Sequence, residues 1–436
     1  MIRIYLKQAW ELLRQNRLFS TIYIIGTGLS IALTMIMAII YYVRLAPVYP
    51  EERRATTLYM GYLKRMQTFE GGGWSWQTGG YSHQAVTEWF RPLADAEVVS
   101  ASISTEGYVQ RPGGREDQEV TVRLIDPEFF RLYSFRFKDG AVFTQDDFDG
   151  AMHRAVITDR LARMLFGTDT GVTGRTFLLD YKTYTVCGVI EAASRLMERS
   201  YADVYAPYSI QDMYMESNRN MWEMGSLFVT IAARDRDGIG RIRRAINEHV
   251  RRFNTSNASE NVTMEILNGP GTHLESVLQS TAGSEGSMPK ALRQLFFVVL
   301  VLLLVPALNL SGLIASRMES RLSEMGIRKT FGAWRTTLLN MVLWENLLLT
   351  FIGGLVGLVV AWVCLFMGRG WVFTILDSYA TRVAGDAAYV SGEMLFAPLV
   401  FVCALSLCLV LNLLSAFIPA WWSLRHPIVQ SLYEKR

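Results

Sequence analysis

Four long stretches of this chain carry no charged residue: Leu18 to Val43, Gln294 to Ser316, Asn346 to Gly368 and Met394 to Leu424. Each exceeds the roughly 20 residues that, at about 1.5 Å per residue, cover about 30 Å of hydrocarbon. A buried core helix rarely runs that far without a charge, so the sequence predicts four transmembrane helices. The first stretch is too long for a signal peptide. It also closes on Tyr41-Tyr42-Val43 rather than on the small residues of a cleavage site. Composition agrees: 50% of the residues are hydrophobic and 19% are charged, below the usual quarter.

Flanking Lys and Arg orient the spans. Arg3, Lys7, Arg14 and Arg17 precede the first span. Arg317, Arg321, Arg328, Lys329 and Arg335 lie between the second and third, and Arg425, Lys435 and Arg436 follow the fourth. The short loop between spans three and four has only Arg369 and Arg382. The positive-inside rule then places both termini and residues 317–335 in the cytoplasm and residues 46–290 outside. The outer segment holds 27 Lys and Arg against 32 Asp and Glu, whereas the rest of the chain holds 16 against 8. The net charge of +3 reflects that split, so no nucleic-acid partner is expected. Ile2, Leu6, Ala9, Trp10 and Leu13 share one helical face, which predicts an interfacial amphipathic helix against membrane lipid over residues 1–17.

The expected fold is a membrane protein with four transmembrane α-helices and a large α+β extracytoplasmic domain between helices 1 and 2. Its segments are the cytoplasmic helix 1–17, span one 18–43, the outer domain 46–290, span two 294–316 and a cytoplasmic loop 317–335. Span three at 338–368, an outer loop 369–393, span four at 394–420 and a cytoplasmic tail 421–436 follow. Small residues recur every four positions: Gly26, Ser30, Thr34 and Ala38 in span one, Ala307, Ser311 and Ala315 in span two, Gly353, Gly357 and Ala361 in span three. Such stripes let helix backbones approach closely. They serve packing within one subunit or between subunits, and the stripes of spans one and two are expected at a subunit interface. No Asp, Glu, Lys, Arg or His lies inside the four charge-free stretches; Glu345 borders the third at its cytoplasmic end. That argues against a polar solute passing between these helices, which would need intramembrane charges or broken helices.

Within the outer domain, strands are predicted over Val98–Val109, Glu119–Ile125, Arg154–Ile157, Ser226–Ala232 and Val262–Leu267. Two more flank the turn Asp180-Tyr181-Lys182 within Thr176–Ile190. Helices are expected after Asp126-Pro127, over Asp159–Phe166 between a Thr158 cap and Gly167, and over Asp237–Phe253. Gly71 to Trp74 and Gly283 to Ser287 read as loops or linkers. The domain offers little chemistry. His83, His153, His249, His273 and His426 form no metal-spaced pair, so no metal is expected. Three of the four cysteines fall in apolar runs, which leaves Cys187 alone outside and no internal disulfide. Asp146-Asp147 reads as a solvated turn. There is no nucleophile elbow, and no Gly-rich phosphate loop ending in Lys-Ser or Lys-Thr, so no catalytic role and no nucleotide cofactor is expected of this chain.

The segment from Arg317 reads Arg-Met-Glu-Ser-Arg-Leu-Ser-Glu-Met-Gly-Ile-Arg-Lys-Thr-Phe-Gly-Ala333, then Trp334-Arg-Thr-Thr-Leu and Trp344-Glu-Asn-Leu. It resembles the FtsX-like permease domain of ABC transporters of the MacB type at Arg317, Glu324, Gly326, Ile327, Arg328, Lys329, Gly332, Ala333, Arg335 and Glu345. The outer domain resembles the family's periplasmic core domain at Val-Arg-Leu-Ile-Asp-Pro-Glu-Phe-Phe130, Gly140 to Phe143 and Tyr184 to Ile190, so the resemblance covers nearly the whole chain. The bulky Trp334 beside Phe331-Gly332 departs from the family pattern. The resemblance implies a bacterial inner-membrane permease subunit without catalytic activity. Two copies of an ABC-type ATP-binding subunit would drive it, paired with a second permease subunit of the same or a related sequence. A periplasmic adaptor or outer-membrane channel on the outer side is a further partner it suggests. The 317–335 loop, with Ile327 and Phe331 on one face, would dock on the ATPase, and the outer domain would move in response. The cargo implied is a peptide, drug or lipoprotein-like substrate; the alternative is a regulator that switches a periplasmic hydrolase or sensor.

Overall fold

The computed structural model describes residues 17–282 apart from 70, 112–113, 115–116, 196 and 217–220, scattered positions between 289 and 301, residues 327–367 apart from 329 and 333, and residues 398–423. The chain divides into two compact units, one containing the long apolar helices and the other Val43–Ala291. The first helix, α1 (Arg17–Leu45), contains the first charge-free stretch with about one residue to spare at each end. The amphipathic segment before it, nearly all of span two and the 369–393 loop lie outside the described residues.

The second unit is built on two sheets. The larger has ten strands. Its order runs Gly271–Thr272 (β14), Thr57–Tyr59 (β1), Phe228–Ala233 (β12), Ala96–Gln110 (β4), Asp117–Ile125 (β5), Val204–Pro207 (β10), Arg154–Thr158 (β7), Lys182–Ile190 (β9) and Phe137–Gly140 (β6). Thr176–Leu179 (β8) pairs with β4 and β9 beside this path. The smaller sheet runs Met224–Gly225 (β11), Trp74–Tyr81 (β3), Tyr62–Thr68 (β2) and Val262–Leu267 (β13). Most neighbours are antiparallel; β10 with β5 and β7 with β9 are parallel. The unit is therefore mixed α/β. Three helices matter below: α2 (Asp159–Phe166), α3 (Arg236–Ser256) and α4 (His273–Ala282).

Local chemistry explains several of these elements. Thr158 Oγ1 accepts the Leu161 amide and opens α2, and Gly167, at φ +77°, closes it by donating to the Arg163 carbonyl. The β8–β9 hairpin turns on Asp180 and Tyr181, both at positive φ, as a two-residue primed turn requires. In α3, Ile242 and Ile246 are one turn apart and buried. Two expectations are corrected. Asp147 is largely buried rather than solvated: it closes a capping box with Thr144 at the start of a short helix and pairs with Arg154 at 3.2 Å. Gly71 to Gly73 is a hairpin turn between β2 and β3, and Trp74 begins a strand instead of ending a linker. Gly71 and Gly72, at φ +118° and +88°, make that turn, so the loop reading holds for the glycines and fails only at Trp74.

Asp126 follows β5 and is wholly buried. Ser100 Oγ and the Ala101 amide donate to it at 2.7 Å and 3.1 Å, and Arg91 stands 3.6 Å away. Burial outweighs these favourable contacts and pushes its pKa up to about 6.

The chain returns to apolar helices with α5 (Arg335–Met367) and α6 (Pro398–Ser423). Among the described residues three helices are long and apolar enough to cross a membrane: α1, α5 and α6. In this unit α1 crosses α5 through glycines. A Cβ on Gly357 would come within 2.5 Å of the Gly28 carbonyl, and one on Gly353 within 3.0 Å of the Thr27 Cβ. Gly26, Ser30 and Thr34 are half-buried beside that line, with Thr34 Oγ1 donating to the Ser30 carbonyl at 3.0 Å. Ala307, Ser311 and Ala315 lie outside the described residues.

Two predictions follow from this packing and burial. Gly357→Val should lower the thermal unfolding midpoint of the detergent-purified chain, at an overpacking cost of about 1–3 kcal/mol, because the obstacle is backbone. Gly354→Ala should be nearly neutral, because only the end of the Leu405 side chain faces it. For Asp126 the folded-state pKa is raised, so its stabilising contribution is present below about pH 4 and is lost as pH rises through about 6. Chemical denaturation of wild type and Asp126→Asn between pH 4 and 7 should show the wild type losing ground to the variant by up to about 3 kcal/mol.

Candidate functional site

Ile327, Arg328 and Thr330 form the last helical turn before the third span, and the Phe331 amide donates to the Ile327 carbonyl at 3.2 Å. Thr330 Oγ1 donates to the same carbonyl at 2.6 Å. Gly332, at φ +85°, then reverses the chain, a conformation that suits glycine. The Trp334 carbonyl accepts from the amides of Thr337 and Leu338, which starts α5. This tight turn leaves Ile327, Phe331 and Trp334 uncovered, with Phe331 87% and Trp334 79% exposed. Arg328 Nη1 donates to Met341 Sδ at 2.7 Å and so lies along α5. Glu345 is buried within α5, although it borders an apolar run in sequence.

The structure thus brings Ile327, Arg328, Phe331 and Gly332 into one turn at the start of the helix that Arg335 opens, with Glu345 farther along it. Arg317, Glu324, Gly326, Lys329 and Ala333 lie outside the described residues. Trp334 extends the exposed apolar surface of the turn. The sequence signal for it was an aromatic two residues after the Gly of Arg-Lys-Thr-Phe-Gly332, between two apolar stretches. Exposed aromatics grouped in this way mark contact surfaces.

A second feature, which sequence reasoning missed, lies in the other unit. Arg54 and Glu51 are 3% and 2% exposed and pair at 2.8 Å. Arg54 Nη1 also donates to the carbonyls of Val43 and Ala46 at 2.9 Å and 2.5 Å, and its Nη2 reaches Met197 Sδ at 2.7 Å. Ser200 Oγ donates to the other Glu51 oxygen at 2.7 Å. A helix leaves its last carbonyls without partners, and a cation is well suited to that end. Here Arg54 takes the Val43 carbonyl, and His273 takes the Arg44 carbonyl at 2.7 Å. A carbonyl only accepts, so His273 Nε2 carries the hydrogen. Burial first, then the Arg54 charge, lower the His273 pKa. Tyr59 packs against His273, and Arg199 lies over the Tyr59 ring while donating to Ser276 Oγ at 3.0 Å. The start of α4, the end of α1 and residues 197–201 are thereby joined. Among the described residues no group of His, Cys, Asp and Glu could hold a metal ion.

Two family models match this chain in series. Residues 20–249 match the MacB-like periplasmic core domain, and residues 296–428 match the FtsX-like permease C-terminal domain. The chain belongs to the MacB/FtsX-like family of ABC transporter permeases. Its relatives include the ABC transporter permease YknZ of Bacillus subtilis, 22% identical over 244 residues, which is 56% of each chain. The pyoverdine export ATP-binding/permease protein PvdT of Pseudomonas aeruginosa is 25% identical over 250 residues, 57% of this chain and 35% of PvdT. The macrolide export ATP-binding/permease protein MacB 1 of Yersinia pseudotuberculosis is 25% identical over 268 residues, 61% of this chain and 38% of MacB 1. The matched region thus spans about half the length of YknZ and little more than a third of the other two. Among solved structures, the extracellular domain of YknZ aligns at a TM-score of 0.34 and 16% identity, over 48% of this chain and 99% of that one. The periplasmic region of MacB from Actinobacillus actinomycetemcomitans aligns at 0.33 and 12% identity, over 52% and 96%. The two family models make the protein a membrane ABC permease with a large extracellular α/β domain.

Removing one partner of a buried ion pair strands the other charge, at a cost of about 3–5 kcal/mol. Arg54→Met should therefore lower the stability of the purified chain by about 3 kcal/mol in denaturant titration. The double variant Glu51→Leu/Arg54→Met should lose less than Arg54→Met alone, since neither charge is then left unpaired.

Proposed function

We propose that this chain is the non-catalytic permease subunit of a MacB-type exporter in a bacterial inner membrane, with four spans and both termini in the cytoplasm. In this reading an attached ATP-binding subunit, present in two copies, hydrolyses ATP. Two permease chains pair, Gly26, Ser30, Thr34, Ala307, Ser311 and Ala315 lie at or near their contact, and the outer domain moves to expel a peptide, drug or lipoprotein-like substrate. The observation that carries the reading is the uncovered turn Ile327, Phe331 and Trp334 inside the FtsX-like segment, between runs of Lys and Arg. A turn with such aromatics at its tip suits insertion into a groove of a cytoplasmic partner, and Arg317, Arg328, Lys329 and Arg335 supply charges for an acidic rim. The export function in the names of PvdT and MacB favours export over the regulatory alternative.

Outward transmission would pass through the chain on either side of the outer domain. The carbonyls that close α1 and the first turn of α4 are both held at Arg54 and His273, so a shift of either stem would reach the domain's buried base.

Burying Phe331 in a groove would contribute about 2 kcal/mol, or about 30-fold in affinity. Phe331→Asp in the full chain should cut co-purification of the ATP-binding subunit at least tenfold and abolish substrate-stimulated ATP hydrolysis. The exposed outer-domain variant Arg251→Ala should change neither. Equal recovery of the ATP-binding subunit with Phe331→Asp would remove the docking assignment. Protease cleavage at 327–334 and at the Gly71–Gly73 turn from the same side of sealed vesicles would remove the topology.

A further inference from the structure

The β2–β3 hairpin carries an open strand edge with a composition that soluble edges usually avoid. Its backbone geometry follows from the closing pair. The Phe69 amide donates to the Gly73 carbonyl at 2.7 Å, so positions 69 and 73 form a hydrogen-bonded pair. The register then continues without a bulge from Thr68 opposite Trp74 to Leu63 opposite Gly79. Because hydrogen-bonded and non-bonded pairs alternate in an antiparallel ladder, Ser75, Gln77 and Gly79 turn their amides and carbonyls toward β2. Trp74, Trp76 and Thr78 turn theirs the other way. Only the far end of that edge is covered, where β11 pairs at Gly80 and Tyr81. Among the described residues no strand other than β2 pairs with Trp74, Trp76 or Thr78.

The same three residues share one face of the sheet, since side chains alternate along a strand. Trp74 is 65% exposed and Trp76 53%; on β2, Met66 and Tyr62 lie on the same face, with Lys64 between them opposite Thr78. The opposite face is the packed one, with Leu63, Val262 and Met264 buried. Proteins normally protect an open edge with Lys, Pro, an inward charge or a bulge. The run Trp-Ser-Trp-Gln-Thr-Gly-Gly80 has none of these.

We infer that this edge is a docking site for an extended segment of a partner protein, apolar at alternate positions, which adds to β3 as a further strand. The chemistry selects that occupant. Outward amides and carbonyls two residues apart need a strand's backbone to pair with, and the tryptophans beside them offer flat apolar surface to every second side chain. Lipid acyl chains cannot satisfy those backbone groups. A second copy could pair two-fold about Trp76, but three outward residues per copy give an interface well short of the roughly 1,200 Å² of a stable dimer. An edge this short suits transient capture. The inference goes beyond the permease reading and does not depend on the coupling turn.

The test uses the full chain in nanodiscs and a panel of eight-residue peptides in which Thr alternates with Val, Leu, Phe or Tyr. At least one peptide should slow amide exchange across Trp74–Thr78 and shift the tryptophan fluorescence. The same peptide, N-methylated at alternate residues so that it lacks the pairing amides, should bind at least tenfold more weakly. Trp76→Ala removes the aromatic, and Trp76→Pro removes both the aromatic and an outward donor; each should weaken binding at least tenfold, the proline variant more than the alanine one. If no peptide binds, or the N-methylated peptide binds equally well, the site is overturned. Ready disulfide cross-linking of Trp76→Cys between copies in native membranes would overturn the partner and assign the edge to self-pairing. These readouts do not involve ATP hydrolysis, so they fail or succeed separately from the permease reading.

Discussion

Arg54 places its guanidinium where almost no water reaches, and the domain around it is arranged so that each of its nitrogens meets an acceptor. Desolvating a guanidinium is expensive, and only complete hydrogen bonding offsets it. That requirement fixes three stretches of chain that are far apart in sequence: residues 43–46, 51–54 and 197–200. Arg123 acts in the same way from the other side, buried and donating to the carbonyls of Glu198 and Tyr201. The irregular segment 197–201 is therefore held between two arginines. Without Arg123 the carbonyls of Glu198 and Tyr201 would lose these partners.

The helical unit obeys a different constraint. Its helices satisfy their own backbone groups, as hydrocarbon demands, so what remains to be decided is how closely they approach. Gly28, Gly353 and Gly357 decide it, because any Cβ at these positions would meet backbone or Cβ atoms of the neighbouring helix. The chain uses exposed apolar residues elsewhere in the opposite sense. Phe331, Trp334, Trp74 and Trp76 are large, uncovered and grouped on turns or edges rather than scattered, an arrangement typical of contact surfaces.

Much of the outer domain was legible. The Thr158-to-Gly167 helix and the Val262–Leu267 strand have the bounds their caps and alternation predict, and the hairpin turning at Asp180-Tyr181 falls where its turn residues stand. The small sheet was less so. Tyr62-Leu-Lys-Arg-Met-Gln-Thr68 alternates weakly, because Lys64 and Arg65 are only half-buried, and the glycines before Trp74 read as a loop or linker without showing that they close a hairpin. Of the residues proposed to dock on the ATP-binding subunit, Ile327 and Phe331 were placed by helical spacing. The contribution of Trp334 depended on a left-handed Gly332 that no pattern displays.

What the sequence determined by itself is whatever rests on neighbours along the chain: charge-free runs long enough to span a membrane, caps, turns, the charge asymmetry and the family motifs. These depend on residues a few positions apart, so composition and spacing suffice. Only the tertiary structure decided that Glu51 and Arg54 pair out of water, that Gly28 rather than Gly26 meets Gly353 and Gly357, and that β3 leaves an edge open. Each of those depends on which distant groups satisfy a buried charge, a backbone approach or a row of amides, and sequence distance carries no record of that.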